Sequence, residues 1–229
     1  MTSPKETIEK ARTAFTDGNY ADALELYDHF YEHALEADPS YYGVRLSYCL
    51  DEWAELAKKY QPAKVRLEEK MATALRLLDT TRNPERFHDY HAICHFLKCP
   101  DKSIEKFFGY HDSDPQLALS LFSFIRDDLV AAKQWNVCST YLSHPEKQYS
   151  NFLEAFDGSM RLAHKQEQPD EFESFSKEWF VTNAGNLLLI LKNAGRKQEA
   201  EAIYQQCSVD MQSRKFADLI AEIKAHARL

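Results

Sequence analysis

Asn183-Ala-Gly-Asn-Leu-Leu-Leu-Ile-Leu-Lys-Asn-Ala-Gly-Arg-Lys-Gln-Glu-Ala-Glu-Ala-Ile-Tyr-Gln-Gln-Cys207 is the stretch that decides the fold. Leu187, Leu188 and Leu191 recur at helical spacing, and Gly195 then supplies a residue free to take a left-handed turn. Ala200 follows, small enough to let a second helix approach the first closely. The segment reads as two antiparallel helices joined by a tight turn.

Working outward, the same period of three and four returns along most of the chain. Ala23, Tyr27, Phe30 and Ala34 form one stripe, and Leu46, Cys49, Leu50, Trp53 and Leu56 a second. Leu117, Leu121, Phe124, Ile125 and Leu129 form a third, and no stretch alternates with period two for long. Prolines mark the joints: Ser3-Pro4-Lys5-Glu6 is a capping box, and Asn83-Pro84 and Asp114-Pro115 repeat the cap-then-proline signal. Six glycines and eight prolines in 229 residues fall well below the roughly 12% usual for these two types. That shortage disfavours sandwiches and barrels, and also nucleotide folds built on glycine-rich loops. The expectation is an all-α chain of eleven or twelve helices, treated as one domain over residues 1–229.

Segment 181–208 resembles a tetratricopeptide (TPR) repeat, with Gly195 at the interhelical turn, Ala200 at the helix contact, and Tyr204 and Cys207 on the packing face. Segment 5–39 is similar, through Ala11, Phe15, Gly18-Asn19-Tyr20, Ala23, Leu24, Tyr27 and Asp38-Pro39. Segment 115–145 is a degenerate match in which Lys133 replaces the turn glycine. The resemblance covers about half of the chain. It implies antiparallel hairpins stacked as an α-solenoid. The terminal helix, with Phe216, Leu219, Ile220 and Ile223 along one side, would be the cap. It also implies a concave groove lined by Arg12, Phe15 and Thr16, then Ser123, Asp127 and Val130, then Gly185, Leu189 and Lys192. Ile8 and Leu189 stand where a carboxylate clamp would need polar residues, so an apolar or amphipathic segment suits this groove better.

Net charge is −8, from 28 basic and 36 acidic residues, which argues against nucleic-acid and anionic-membrane partners. The N-terminus shows no secretory apolar region, and five cysteines without a CxxC pair read as reduced thiols in a cytoplasm. His29-Phe-Tyr-Glu32-His33 matches the HxxEH pattern of inverted zinc peptidases. It falls beside the Tyr27, Phe30 and Ala34 stripe, so the histidines sit on a helix flank and a peptidase is not expected. His88, His91 and His95, with Cys99, would share one face if a single helix ran through them, and could then ligate zinc. Segment 58–76 carries Lys58, Lys59, Lys64, Arg66, Lys70 and Arg76 against Glu68 and Glu69 alone. It is either a solvated hairpin or a docking patch for an acidic partner.

No phosphate loop, dinucleotide fingerprint or nucleophile elbow is present. The expected function is therefore a cytoplasmic, non-catalytic interaction module (an adaptor, chaperone or immunity-type binder) without cofactor, whose partner is a protein or peptide segment. The alternatives are a metal-dependent hydrolase using the histidine cluster and a self-associating helical domain.

Overall fold

The computed structural model describes residues 3–163 and 169–228. Among these residues it contains thirteen α-helices and one short 3-10 turn, and no strand. Two compact units are formed, residues 1–125 and 126–229, and the division falls inside a helix. The expectation of one domain gave no hint of this, because no composition shift or linker marks a boundary that runs through continuous helix.

The first unit begins with α1 (Pro4–Thr16) and α2 (Tyr20–Ala37), then the 3-10 turn Pro39–Tyr41. It continues with α3 (Tyr42–Leu46), α4 (Tyr48–Lys59), α5 (Gln61–Thr81), α6 (Pro84–Phe96) and α7 (Pro100–Ser113). Helix α8 (Pro115–Ala131) carries the division between Ile125 and Arg126. Each proline of the described residues that begins an element does so for the reason the sequence suggests: its missing N–H is one no helix start needs. The capping box forms, with Glu6 N donating to Ser3 Oγ at 3.3 Å and Ser3 N donating to Glu6 Oε2 at 3.2 Å. Asn83 and Asp114 cap α6 and α8 through their side-chain oxygens.

Neighbouring helices pack in pairs: α1 on α2, α4 on α5, α5 on α6, α6 on α7. Tyr27, Phe30, Leu50, Trp53 and Leu67 are buried together at the centre. The stripe from Leu46 to Leu56, continuous in sequence, is broken by Ser47 (φ −117°, ψ −91°) into α3 and α4. Two buried polar groups are matched here: Trp53 Nε1 donates to the Ala63 carbonyl at 3.2 Å, and Tyr27 Oη donates to Glu52 Oε2 at 3.2 Å.

The second unit holds α9 (Trp135–Thr140), α10 (Pro145–Ala163), α11 (Pro169–Asn193), α12 (Lys197–Ser213) and α13 (Ala217–His226). Helix α11 is its axle, with α9, α10, α12 and α13 packed around it. Residues 183–191 are all buried, not only the stripe at 187, 188 and 191. A helix apolar on every side needs cover on every side, and four neighbours supply it.

One turn geometry recurs across the chain. At Gly18, Lys98, Lys133, Gly195 and Lys215 the backbone is left-handed, with φ of +79°, +58°, +58°, +83° and +64°. In each case the next residue donates five residues back, as Asn19 N does to Ala14 O at 2.8 Å and Gln134 N to Leu129 O at 2.8 Å. This is the Schellman closure of a helix C-terminus. Glycine reaches it without strain; the three lysines do so against the usual preference of residues with a Cβ.

Candidate interaction site

The residues assigned to a groove divide between the two units, so each set is taken by itself. In the first unit Arg12 Nε donates to Glu52 Oε1 at 2.8 Å, and Thr16 Oγ1 donates to the Arg12 carbonyl at 2.9 Å. Phe15 is half-buried, its ring 6.0 Å from that of Tyr20, with Lys59 Nζ 4.8 Å above it. Arg12 and Phe15 are therefore engaged with groups of α4 as well as open to solvent. Ser123, later in this unit, is exposed.

In the second unit the assignment needs correction. Leu189 is buried, and a Cβ added at Gly185 would lie 2.5 Å from His226 Cδ2. Lys192 Nζ donates to the Arg228 carbonyl. The face of α11 that carries 185, 189 and 192 is covered by α13 and the residues just beyond it. Val130 is buried as well. Asp127 is exposed but not idle: its Oδ1 accepts from Asn186 Nδ2 at 3.0 Å and pairs with Arg126 at 3.1 Å.

These contacts belong to a polar chain that locks α13 in place. Asn186, buried, donates to Asp127, which leaves its Oδ1 to accept from His226 Nε2 at 2.8 Å. His226 is thereby held as the Nε2–H tautomer. Burial lowers its pKa from the ordinary histidine value, so the neutral ring is favoured. Arg126 donates to Asn183 Oδ1 at 2.5 Å, and Asn183 Nδ2 donates to the Trp179 carbonyl at 2.7 Å.

The histidine cluster does not converge. Helix α6 ends at Phe96, and the left-handed turn at Lys98 carries Cys99 onto the start of α7, off the shared face. His88 Nδ1 lies 2.9 Å from Tyr42 Oη, and its ring stacks on Phe124 at 4.5 Å. His91 Nδ1 bonds Ser103 Oγ at 3.2 Å, while His95 is exposed and edge-on to Phe96. Burial first, then the charges of His91 and Arg45, push the His88 pKa down to about 4. Among the described residues no group of three or more His, Cys, Asp or Glu side chains is arranged to hold a metal ion.

The HxxEH residues take flank positions. The His29 and His33 rings lie 4.7 Å apart beside a cavity of about 730 Å³, and Glu32 is held by Lys70 Nζ at 2.5 Å. Two cations of the basic segment are paired with acids far upstream. Arg66 pairs with Asp28 and, at 3.7 Å, Glu25; Lys70 pairs with Asp28 at 2.6 Å. These partners lie on α2, about forty residues away, beyond any local count of charges. For Arg66 and Lys70 the docking-patch reading is set aside for that reason.

The sequence also gave no sign of Arg45 and Asp89, which form a buried ion pair between α3 and α6. Arg86 supports it at 3.1 Å, and the Arg45 guanidinium lies 4.4 Å from the Tyr31 ring centroid. Four of the five cysteines are buried, and burial pushes the thiols of Cys94 and Cys138 up to about 12 and that of Cys207 up to about 11. Thiols held protonated in this way are poor nucleophiles and poor metal ligands at neutral pH. No family model, curated protein or solved structure matches the chain.

Proposed function

We propose that this chain is a non-catalytic protein-interaction module whose hairpins are TPR-like, an adaptor or chaperone-type binder of a protein or peptide segment. The observation that carries the reading is the recurrent hairpin turn. Gly18, Lys98, Lys133 and Gly195 each close one helix and open the next with the same hydrogen bonds. Of the spacings between successive turns only one, the thirty-five residues from Lys98 to Lys133, approaches the TPR period. Ala11, Ala23 and Ala200 are buried where small residues let paired helices approach.

The hydrolase alternative has less support, because His88, His91 and His95 face different partners and the buried cysteines are held as thiols. Among the described residues no helix is long and apolar enough to cross a membrane. The test is affinity capture on the immobilised full chain, followed by binding measurements with each captured protein in purified form. A saturable complex with a purified partner, weakened by Phe15→Ser, is expected. Stoichiometric zinc in the purified chain together with hydrolysis lost in His88→Ala and His91→Ala would overturn the reading.

A further inference from the structure

The second unit carries an aromatic strip that the fold covers only in part. On α11, Phe172, Phe175 and Trp179 lie along one side, and on α10 Ala155 and Ser159 lie opposite, lining a groove of about 130 Å³. Leu162 extends the α10 side. Phe175 is 65% exposed and Leu162 50%, unusual for side chains of this size. Trp179 is braced at the base, edge-on to Phe152 at 5.9 Å. The hydroxyl of Ser176 is satisfied by the Phe172 carbonyl at 2.8 Å, so the groove floor offers no unpaired polar group.

On α11 the exposed charges in line with the strip share one sign. Glu171, Phe175 and Glu178 fall at i, i+4 and i+7, so Phe175 stands in a line between two carboxylates. Glu154 flanks the α10 side. All three carboxylates are exposed, and none forms an ion pair with a described residue. Among the described residues the cations on these helices include Lys147 and Arg161, seven residues to either side of Glu154, and Lys177, which is turned away: it pairs with Glu173 at 2.7 Å and lies 5.2 Å from the Phe216 ring. Positions 172 to 179 span about 10.5 Å, two helical turns. That length accepts apolar anchors at i, i+4 and i+7 of a bound helix.

We infer that the α10–α11 strip is a docking site for a basic amphipathic helix of a partner protein, its apolar face on Phe172, Phe175 and Trp179 and its lysines or arginines against Glu154, Glu171 and Glu178. A second copy of this chain fits poorly: a two-fold axis through the strip would bring the same carboxylates together. The inference rests on the reading of the chain as an interaction module, but on a surface separate from Arg12, Phe15 and Thr16.

The probe is a labelled synthetic helix of about 14 residues, four turns, with leucines at i, i+4, i+7 and i+11 and lysines elsewhere. A counterpart carries glutamates in place of the lysines. Fluorescence anisotropy with the full chain should show saturable binding of the lysine peptide and at least about tenfold weaker binding of the glutamate peptide. Phe175→Ser should weaken the lysine peptide about tenfold or more. Because Phe175 is exposed, that variant should keep its helical circular dichroism and melting point. Glu171→Lys with Glu178→Lys, which leaves the aromatics in place, should weaken it by a similar factor. Equal binding to wild type and Phe175→Ser, no binding at millimolar chain, or no preference between the peptides overturns the inference. A wild-type dimer that becomes monomeric in Phe175→Ser also overturns it, by showing that a second copy is the occupant. If the site fails while a captured partner still depends on Phe15, the module reading stands and only this surface falls.

Discussion

Gly185→Ala tests the docking of α13 on α11. A Cβ at this position would lie 2.5, 2.7 and 2.9 Å from Cδ2, Cγ and Cβ of His226. The last of these is next to the backbone, so a rotamer change cannot clear the contact and α13 itself must shift. Overpacking of this kind costs about 1–3 kcal/mol. Moving His226 also strands the buried Asn186 Oδ1, which costs about 1–3 kcal/mol more. Alanine returns about 1 kcal/mol through its better helix propensity. The balance is a destabilisation near 3 kcal/mol, or roughly 6–12 °C in melting temperature for a chain of this length. Thermal melts followed by circular dichroism measure it, and hydrogen exchange should rise first in α13. The decisive comparison uses the His226→Gly background, which removes Cδ2, Cγ and Cβ together. There the obstruction is gone, so adding Gly185→Ala should be neutral or stabilising by up to about 1 kcal/mol. An equal loss in both backgrounds would refute the reasoning.

The left-handed lysines make an independent test: Lys133→Gly or Lys215→Gly should be neutral or stabilising by up to about 1 kcal/mol, since the relief of φ strain exceeds the added chain entropy. Denaturant unfolding that shows a clear loss in either variant would mean the turns are not left-handed. Ala200→Leu, at a buried helix contact, should destabilise by about 1–3 kcal/mol, and an unchanged melt would mean that α11 and α12 do not pack through it. His88 gives a pH signature. Its pKa falls to about 4 in the folded chain, below the ordinary value of 6.5, so between these limits the unfolded state binds more protons. Stability is therefore unaffected by this group above about pH 6.5 and is lost as pH drops towards 4. Urea titrations at pH 7 and pH 5 should differ less for His88→Gln than for wild type; an unchanged difference would remove His88 as the cause.

The helices, their starts and several of their turns were legible in the sequence because the information is local. A capping box, a cap-then-proline pair or a left-handed glycine acts within one turn of helix, and apolar period reports which side seeks cover. The lysines at 98 and 215 were not read as turns, since nothing in a lysine announces a positive φ; only the chain reversal imposes it.

What the sequence by itself determined is that residues 183–191 form a helix with more apolar surface than a single partner can cover. Which neighbours cover it was decided by tertiary structure: α13 lies on the face of Gly185, Leu189 and Lys192, turning an expected groove into core. The charges followed the same rule. Lys58 to Arg76 read as an unbalanced basic run until folding brought Glu25, Asp28 and Glu32 of α2 alongside, and the Arg45–Asp89 pair joins residues 44 apart. Local pattern fixes which groups are offered, but charge pairing and burial are settled between segments distant in sequence, where packing chooses the partner.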